Sequence, residues 1–244
     1  MKKLLGTVAL LSGFAALFLV FIAGPSFRNG WLDLGQAFTL LRWGAYVGIA
    51  SVPLIIGYAI WRKPEGRFTS ALAISAVVGL FSFYLPFSQW QTAQSVPPIH
   101  DITTDLDNPP AFVAILPLRE NAPNPAEYAG EETAKQQREA YPELQPLIVE
   151  RPVKDVFEAA QAVVKGQAWD LAGAEQLDDG SARVEATDTT LWFGFKDDVV
   201  IRIQPHENGS RVDVRSKSRL GRSDVGANAR RIKLFMEKLQ EELQ

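Results

Sequence analysis

The chain has 244 residues, with 25 Lys plus Arg against 28 Asp plus Glu, two histidines and no cysteine. The absence of cysteine excludes a disulfide staple and thiol chemistry, and two distant histidines provide no zinc signature. The net charge of -3 conceals a division, because residues 1–87 carry +5 and residues 88–244 carry -8.

Three apolar runs fill the first part. Residues 4–23 are uncharged, and twenty helical positions at about 1.5 Å each match the roughly 30 Å hydrocarbon core of a bilayer. Residues 43–61 are also uncharged, with Trp43 and Trp61 at the ends, where an indole can keep its N–H near the headgroups. Pro53 lies inside this run and predicts a kink. Residues 68–85 form the third run, closed by Pro86, and Ser70, Ala71, Ala73, Ser75, Ala76 and Gly79 suit close helix packing. Lys2 and Lys3 ahead of an apolar run ending in Ala23-Gly24 also fit a cleaved signal peptide. The length of that run and the two spans behind it favour retention. Residues 1–87 are therefore expected to be a three-helix membrane anchor.

Orientation follows from the short loops. Lys2, Lys3, Arg62, Lys63 and Arg67 lie on one side, whereas the loop from Gly24 to Arg42 holds only Arg28 and Arg42. The positive-inside rule then places the N-terminus in the cytoplasm and the polar C-terminal part outside, in the periplasm if the membrane is a bacterial inner membrane.

Residues 88–151 are rich in proline (Pro97, Pro98, Pro109, Pro110, Pro117, Pro123, Pro125, Pro142 and Pro146), which predicts an arm wrapped on the domain. Only residues 131–140 in it have helical composition. Residues 152–244 are the expected core. Val153, Val156, Phe157, Ala160, Val163 and Val164 recur at helical spacing. Four strand candidates follow: residues 169–177, 182–188, 199–204 and 211–218, with turns at Asp178-Asp179-Gly180 and Asn208-Gly209. In the second, Ala182, Val184 and Ala186 are expected inward and Arg183, Glu185 and Thr187 outward. A last helix, N-capped by Ser223 or Asp224, carries the stripe Val225, Ala229, Ile232, Met236, Leu239 and Leu243. The predicted fold is α+β, a two-layer sandwich of about four antiparallel strands and two helices behind the anchor.

Two stretches hold more polarity than folding requires. His100, Asp101, Thr103, Thr104 and Asp105 place a histidine beside carboxylates and hydroxyls, a set suited to acid–base work, or to capping turns in an irregular segment. Residues 211–233 carry eight basic side chains against Asp213 and Asp224. Within them Arg215, Arg219, Arg222, Ser223, Asp224 and Arg230 run from a strand end into a helix start, where a phosphate or carboxylate can bind. The competing role for these residues is internal salt bridging, with Asp224 or a carboxylate of the acidic arm filling the positive pocket. Leu191-Trp192-Phe193-Gly194-Phe195 is an aromatic cluster between strands, suited to covering a core, dipping into a membrane or lining an apolar pocket.

In the stretches His100 to Asp105, Asn108 to Phe112, Tyr141-Pro142, Trp192 to Asp198, Arg215 to Arg219 and Gly221 to Ile232, the chain resembles the family catalogued as domain of unknown function 1499. Some relatives have an Asn-Cys-Val stretch before the domain; Ser95-Val96-Pro97 stands there in this chain. With no zinc signature or Gly-rich phosphate loop in the sequence no cofactor is expected, and the resemblance implies no established activity. It ties the two polar stretches to one shared pattern.

The leading expectation is a non-enzymatic membrane-tethered domain that binds a partner protein or an anionic envelope component through Arg215, Arg219, Arg222 and Arg230 with the arm around His100 to Asp105. A hydrolase or lyase with His100 as base and Asp101 or Asp224 as its partner is the rival, and a structural subunit of an envelope complex is the third possibility. The bilayer is the expected surrounding of the anchor. Nucleic acid is excluded as partner by the acidic domain and its external placement.

Overall fold

The computed structural model describes the chain from Lys2 to Gln244, with side chains from Leu4 onward. The chain divides into two compact units, residues 1–92 with 191–194, and residues 93–190 with 195–244.

In the first unit three helices, α1 (Lys2–Arg28), α2 (Leu34–Arg62) and α3 (Arg67–Ser95), are each long and apolar enough to cross a membrane. α2 starts nine residues before the apolar run because Asp33 and Gln36 close a capping box. The Gln36 N–H donates to Asp33 Oδ1 at 2.8 Å, and the Asp33 N–H donates to Gln36 Oε1 at 3.0 Å. α3 does not end at Pro86 but continues to Ser95. A proline removes one helical donor without changing the handedness of the backbone, and Phe83, Phe87 and Trp90 stack along the same face at 5.1 and 5.9 Å across that point. Of the small residues on α3, Ser75 and Gly79 are buried at helix contacts, whereas Ser70 and Ala73 are exposed. Close approach is literal at Gly13, where a Cβ would stand 2.0 Å from the Ser75 carbonyl oxygen.

In the second unit a six-stranded antiparallel sheet replaces the four strands expected. Its strands are β1 (Asp101–Thr103), β2 (Leu147–Val149), β3 (Asp170–Gln176), β4 (Ala182–Thr189), β5 (Lys196–His206) and β6 (Gly209–Ser218). The order is β1-β6-β5-β4-β3, and β2 shares the β6 edge with β1, pairing to residues 210–212 while β1 pairs to 215–217. Three-residue strands in a proline-rich arm have no alternation of their own to read; the free edge of β6 recruits them.

The helices α5 (Val153–Gly166) and α6 (Ala227–Glu242) cover one face, and α4 (Glu131–Ala140) lies in the arm. Val156, Ala160 and Val164 of α5, Ile232, Phe235 and Leu239 of α6, and Val184, Val199, Ile201, Val212 and Val214 of the strands make the core. Each such Val, Ile, Leu or Phe side chain contributes roughly 1.5–3 kcal/mol by leaving water. Phe235, fully buried, was absent from the expected α6 stripe.

The opposite face of the sheet is not in water. Phe112 and Ile115 of the arm pack on Val200 of β5, and a short 3-10 turn (Leu116–Arg119) follows. Glu185 and Thr187, expected outward, are therefore buried. The carboxylate of Glu185 accepts the N–H groups of Val113, Ala114 and Ile115 and so supplies the acceptors that this irregular backbone needs. α6 begins at Ala227, later than Ser223 or Asp224, because Val225 and Gly226 both stand in the left-handed region, with φ of 55° and 73°.

Candidate functional site

The arm face of the sheet collects the charged side chains of alternate strand positions: Asp213, Arg215 and Lys217 of β6 and Asp198 of β5. Asp101, opposite Lys217 in the β1 register, is wholly buried. Its carboxylate accepts from Arg215 Nε and Nη2 at 2.8 and 2.9 Å, from Lys217 Nζ at 3.1 Å and from the Ala129 N–H at 3.0 Å. Arg215 also donates to the carbonyls of Pro110 and Ala126, and its guanidinium lies 4.8 Å from the Phe112 ring centroid and 5.5 Å from that of Tyr128. Burial pushes the Lys217 ammonium below its ordinary pKa, and the adjacent Asp101 opposes that shift. Burial, reinforced by the Asp101 charge, pushes the Tyr128 phenol up to about 12.

A second knot surrounds Asp198. It accepts from Arg119 at 2.6 Å, from Arg219 at 2.7 and 2.8 Å and from the Thr187 hydroxyl at 2.7 Å. Burial lowers the pKa of Arg119, with the Asp198 carboxylate pulling the other way. At the far end Asp105 joins Arg202 and Arg211, each at 2.9 Å. On the helix face Arg231 bridges Asp188 and Asp197 at 2.8 and 2.7 Å.

These contacts sort the residues singled out in the sequence. Asp101, Thr103, Thr104, Asp105, Arg215 and Arg219 are structural partners of one another or of the backbone. The Thr103 N–H donates to Gln137 Oε1 at 3.0 Å, and Thr104 Oγ1 accepts the Val214 N–H at 2.9 Å. A carboxylate of the arm fills the positive pocket at Arg215, which is the salt-bridging role weighed against ligand binding. His100 takes another direction from Asp101, as successive residues of an extended chain do. Its Nδ1 lies 3.3 Å from the Arg222 carbonyl oxygen, while the Asp101 carboxylate is engaged by Arg215 and Lys217.

The residues that remain converge on the loop between β6 and α6. The Asp224 N–H donates to the Ile99 carbonyl at 3.0 Å, which ties the loop to the chain beside His100. The Asp224 carboxylate accepts from the N–H groups of Gly226 at 2.7 Å and Asn228 at 3.0 Å, so it still caps α6 from outside the helix. Burial pushes its carboxyl pKa up, and those two N–H bonds resist. Ser223 Oγ accepts the Val225 N–H at 3.1 Å, and Arg230 Nη1 donates to the Val225 carbonyl at 3.0 Å. A β-branched residue in the left-handed region costs about 1–3 kcal/mol, and these bonds hold it there. A Cβ on Gly226 would meet Arg230 Nη1 at 3.0 Å and the Tyr141 hydroxyl at 3.2 Å. That hydroxyl is sealed from solvent with no hydrogen-bond partner among the described residues, and burial pushes its pKa up. Arg222 and Arg230 are exposed and His100 is half-buried.

Sequence reasoning missed Arg119, Tyr128, Lys217 and Asp198 as parts of the network, and Tyr141 beside the loop. Alternation along β6 carried a signal for the first group, since Asp213, Arg215 and Lys217 occupy one face of a strand whose other face carries only uncharged Val and Ser residues. No group of three or more His, Cys, Asp or Glu side chains suited to a metal occurs among the described residues.

No curated protein matches the chain. A family model described as "protein of unknown function" does match, over residues 101–239, a span running from the first residue of β1 into the last turns of α6 and taking in the whole charged network. That span is more than half of the chain, and the protein belongs to the DUF1499 family.

Proposed function

We propose that this protein is a membrane-tethered, extracytoplasmic interaction domain that recognises a partner protein or an anionic envelope component through the loop between β6 and α6. The observation that carries this reading is the strained loop itself. Val225 is held in the left-handed region beside two exposed guanidiniums, Arg222 and Arg230, with His100 and the unpartnered hydroxyl of Tyr141 next to them. Strain of this kind persists where the surroundings enforce it, and binding surfaces are common places for it. Guanidiniums on a rigid loop suit carboxylate or phosphate groups. The distribution of Lys2, Lys3, Arg62, Lys63 and Arg67 supports an external domain, periplasmic if the membrane is a bacterial inner membrane.

Because Arg215 is buried against Asp101 and the part-exposed Arg219 is engaged by Asp198, recognition is assigned to the loop rather than to the strand. Native mass spectrometry of the detergent-extracted full chain tests the proposal. A co-purifying subunit or ligand is expected on the native chain and lost from the double variant Arg222→Ala/Arg230→Ala, which stays folded with only the small drop in melting temperature that loss of the Arg230 bond to Val225 entails. Equal retention of the bound species by the double variant refutes the role of the loop.

A further inference from the structure

Residues 191–194, between β4 and β5 in the chain, belong to the helical unit. α1 contains Pro25, which has no N–H, so the carbonyl of Phe21 one turn earlier lacks its helical donor. Inside a bilayer no water replaces that donor, and an open carbonyl there costs several kcal/mol. The indole Nε1 of Trp192 donates to the Phe21 carbonyl at 3.1 Å. Gly24 makes the approach possible, since a Cβ there would stand 2.4 Å from Trp192 Cδ1. The turn is held on both sides of this bond. Arg28 Nη1 donates to the Leu191 carbonyl at 2.7 Å, and the Phe193 ring lies 6.0 Å from Phe27 and 5.7 Å from Phe38.

These contacts fix the level of the turn along α1, between Phe21 and Arg28. That is the end of a span, where apolar exterior gives way to a guanidinium. Phe14, Phe18 and Phe21 all point outward from α1, and lipid covers them in a membrane. Leu191, 88 % exposed, continues that apolar exterior past the helix end. An isolated exposed leucine is ordinary on a water-facing surface, but here its depth is set by a hydrogen bond into a spanning helix.

We propose that the turn Leu191 to Phe193 is a lipid-contacting element. Leu191 enters the interfacial zone of the bilayer, and the Trp192 indole, apolar on one side and bonded on the other, is seated at the same level. The occupant of the exposed Leu191 side chain is phospholipid, and the inference is independent of the loop bearing Arg222 and Arg230.

The cysteine-free chain gives a clean test. Leu191→Cys in the full chain is labelled with an environment-sensitive nitrobenzoxadiazole dye and reconstituted in phosphatidylcholine–phosphatidylglycerol vesicles, with and without acyl-chain nitroxide lipids. Asp178→Cys, in the exposed turn before β4, is the reference. The expected result at position 191 is blue-shifted emission quenched several-fold by the nitroxide lipids, with water-like, unquenched emission at 178. Water-like emission at both positions overturns the proposal. So does blue-shifted emission at 191 that the nitroxides leave unquenched, because protein rather than lipid then covers the side chain.

Discussion

Replacing Asp101 by asparagine should be among the most damaging polar substitutions in this domain. The Asp101 carboxylate is wholly buried, and it is the acceptor for the paired Arg215 bonds at 2.8 and 2.9 Å and for Lys217 at 3.1 Å. An amide retains one oxygen for the Ala129 N–H, but it turns an NH2 or a neutral oxygen toward two buried cations. Removing one partner of a buried ion pair costs about 3–5 kcal/mol, because the charges left behind cannot return to water. At about 1.4 kcal/mol per factor of ten, the open form of the domain should rise by two to four orders of magnitude. Hydrogen exchange of the full chain in detergent, read on peptides from β1 and β6, measures this region without interference from the helices of the anchor. The reference is Glu131→Gln, which removes an exposed pair with Arg138 at 3.8 Å and should shift exchange by a few-fold at most. Exchange in the Asp101 variant that matches the reference would refute the argument that buried pairing at this site holds the arm to the sheet.

Two further outcomes are expected. The Tyr128 phenol should ionise near pH 12, so ultraviolet titration should show a late phenolate step that disappears in Tyr128→Phe. Because its folded pKa is raised, the stability linked to this group is complete below its ordinary value of 10 and is lost as pH rises toward 12; a titration unchanged by the substitution would contradict the burial argument. Trp192→Phe should leave the Phe21 carbonyl open and lower stability in detergent by about 1–3 kcal/mol, whereas in a Pro25→Ala background the restored N–H should reduce that loss. Equal losses in the two backgrounds, read from melting curves, would show that the indole does not replace the missing helical donor.

The three apolar helices were legible because lipid and helix geometry impose a length and a composition that a single sequence displays directly. Strands β4, β5 and β6 and the faces of α5 and α6 were legible for the same kind of reason, since their apolar positions recur at a period of two or of 3.6, although the arm buries the other side of those strands as well. β1 and β2 were not, because a three-residue strand has no period, and only the open edge of β6 decides where such segments pair. The candidate site divides along the same line. Sequence alone located the polarity: a carboxylate-rich arm, a basic strand and a loop before the last helix. It offered two roles for Arg215 and Arg219, and the choice between them depended on which carboxylates the fold brings within reach.

That choice required tertiary structure because charge pairing is a matter of distance between residues far apart in the chain. Asp101 meets Arg215 across more than a hundred residues, and Arg119 meets Asp198 across 79, once the arm lies over the sheet. Local patterning determined that three helices long and apolar enough to cross a membrane form, and that an antiparallel sheet with two helices follows them in the chain. The packing of the arm determined that Asp101, Asp198, Asp213, Arg119, Arg215 and Lys217 are buried as paired structure while Arg222 and Arg230 stay exposed, because opposite charges removed from water are held only where each finds a partner.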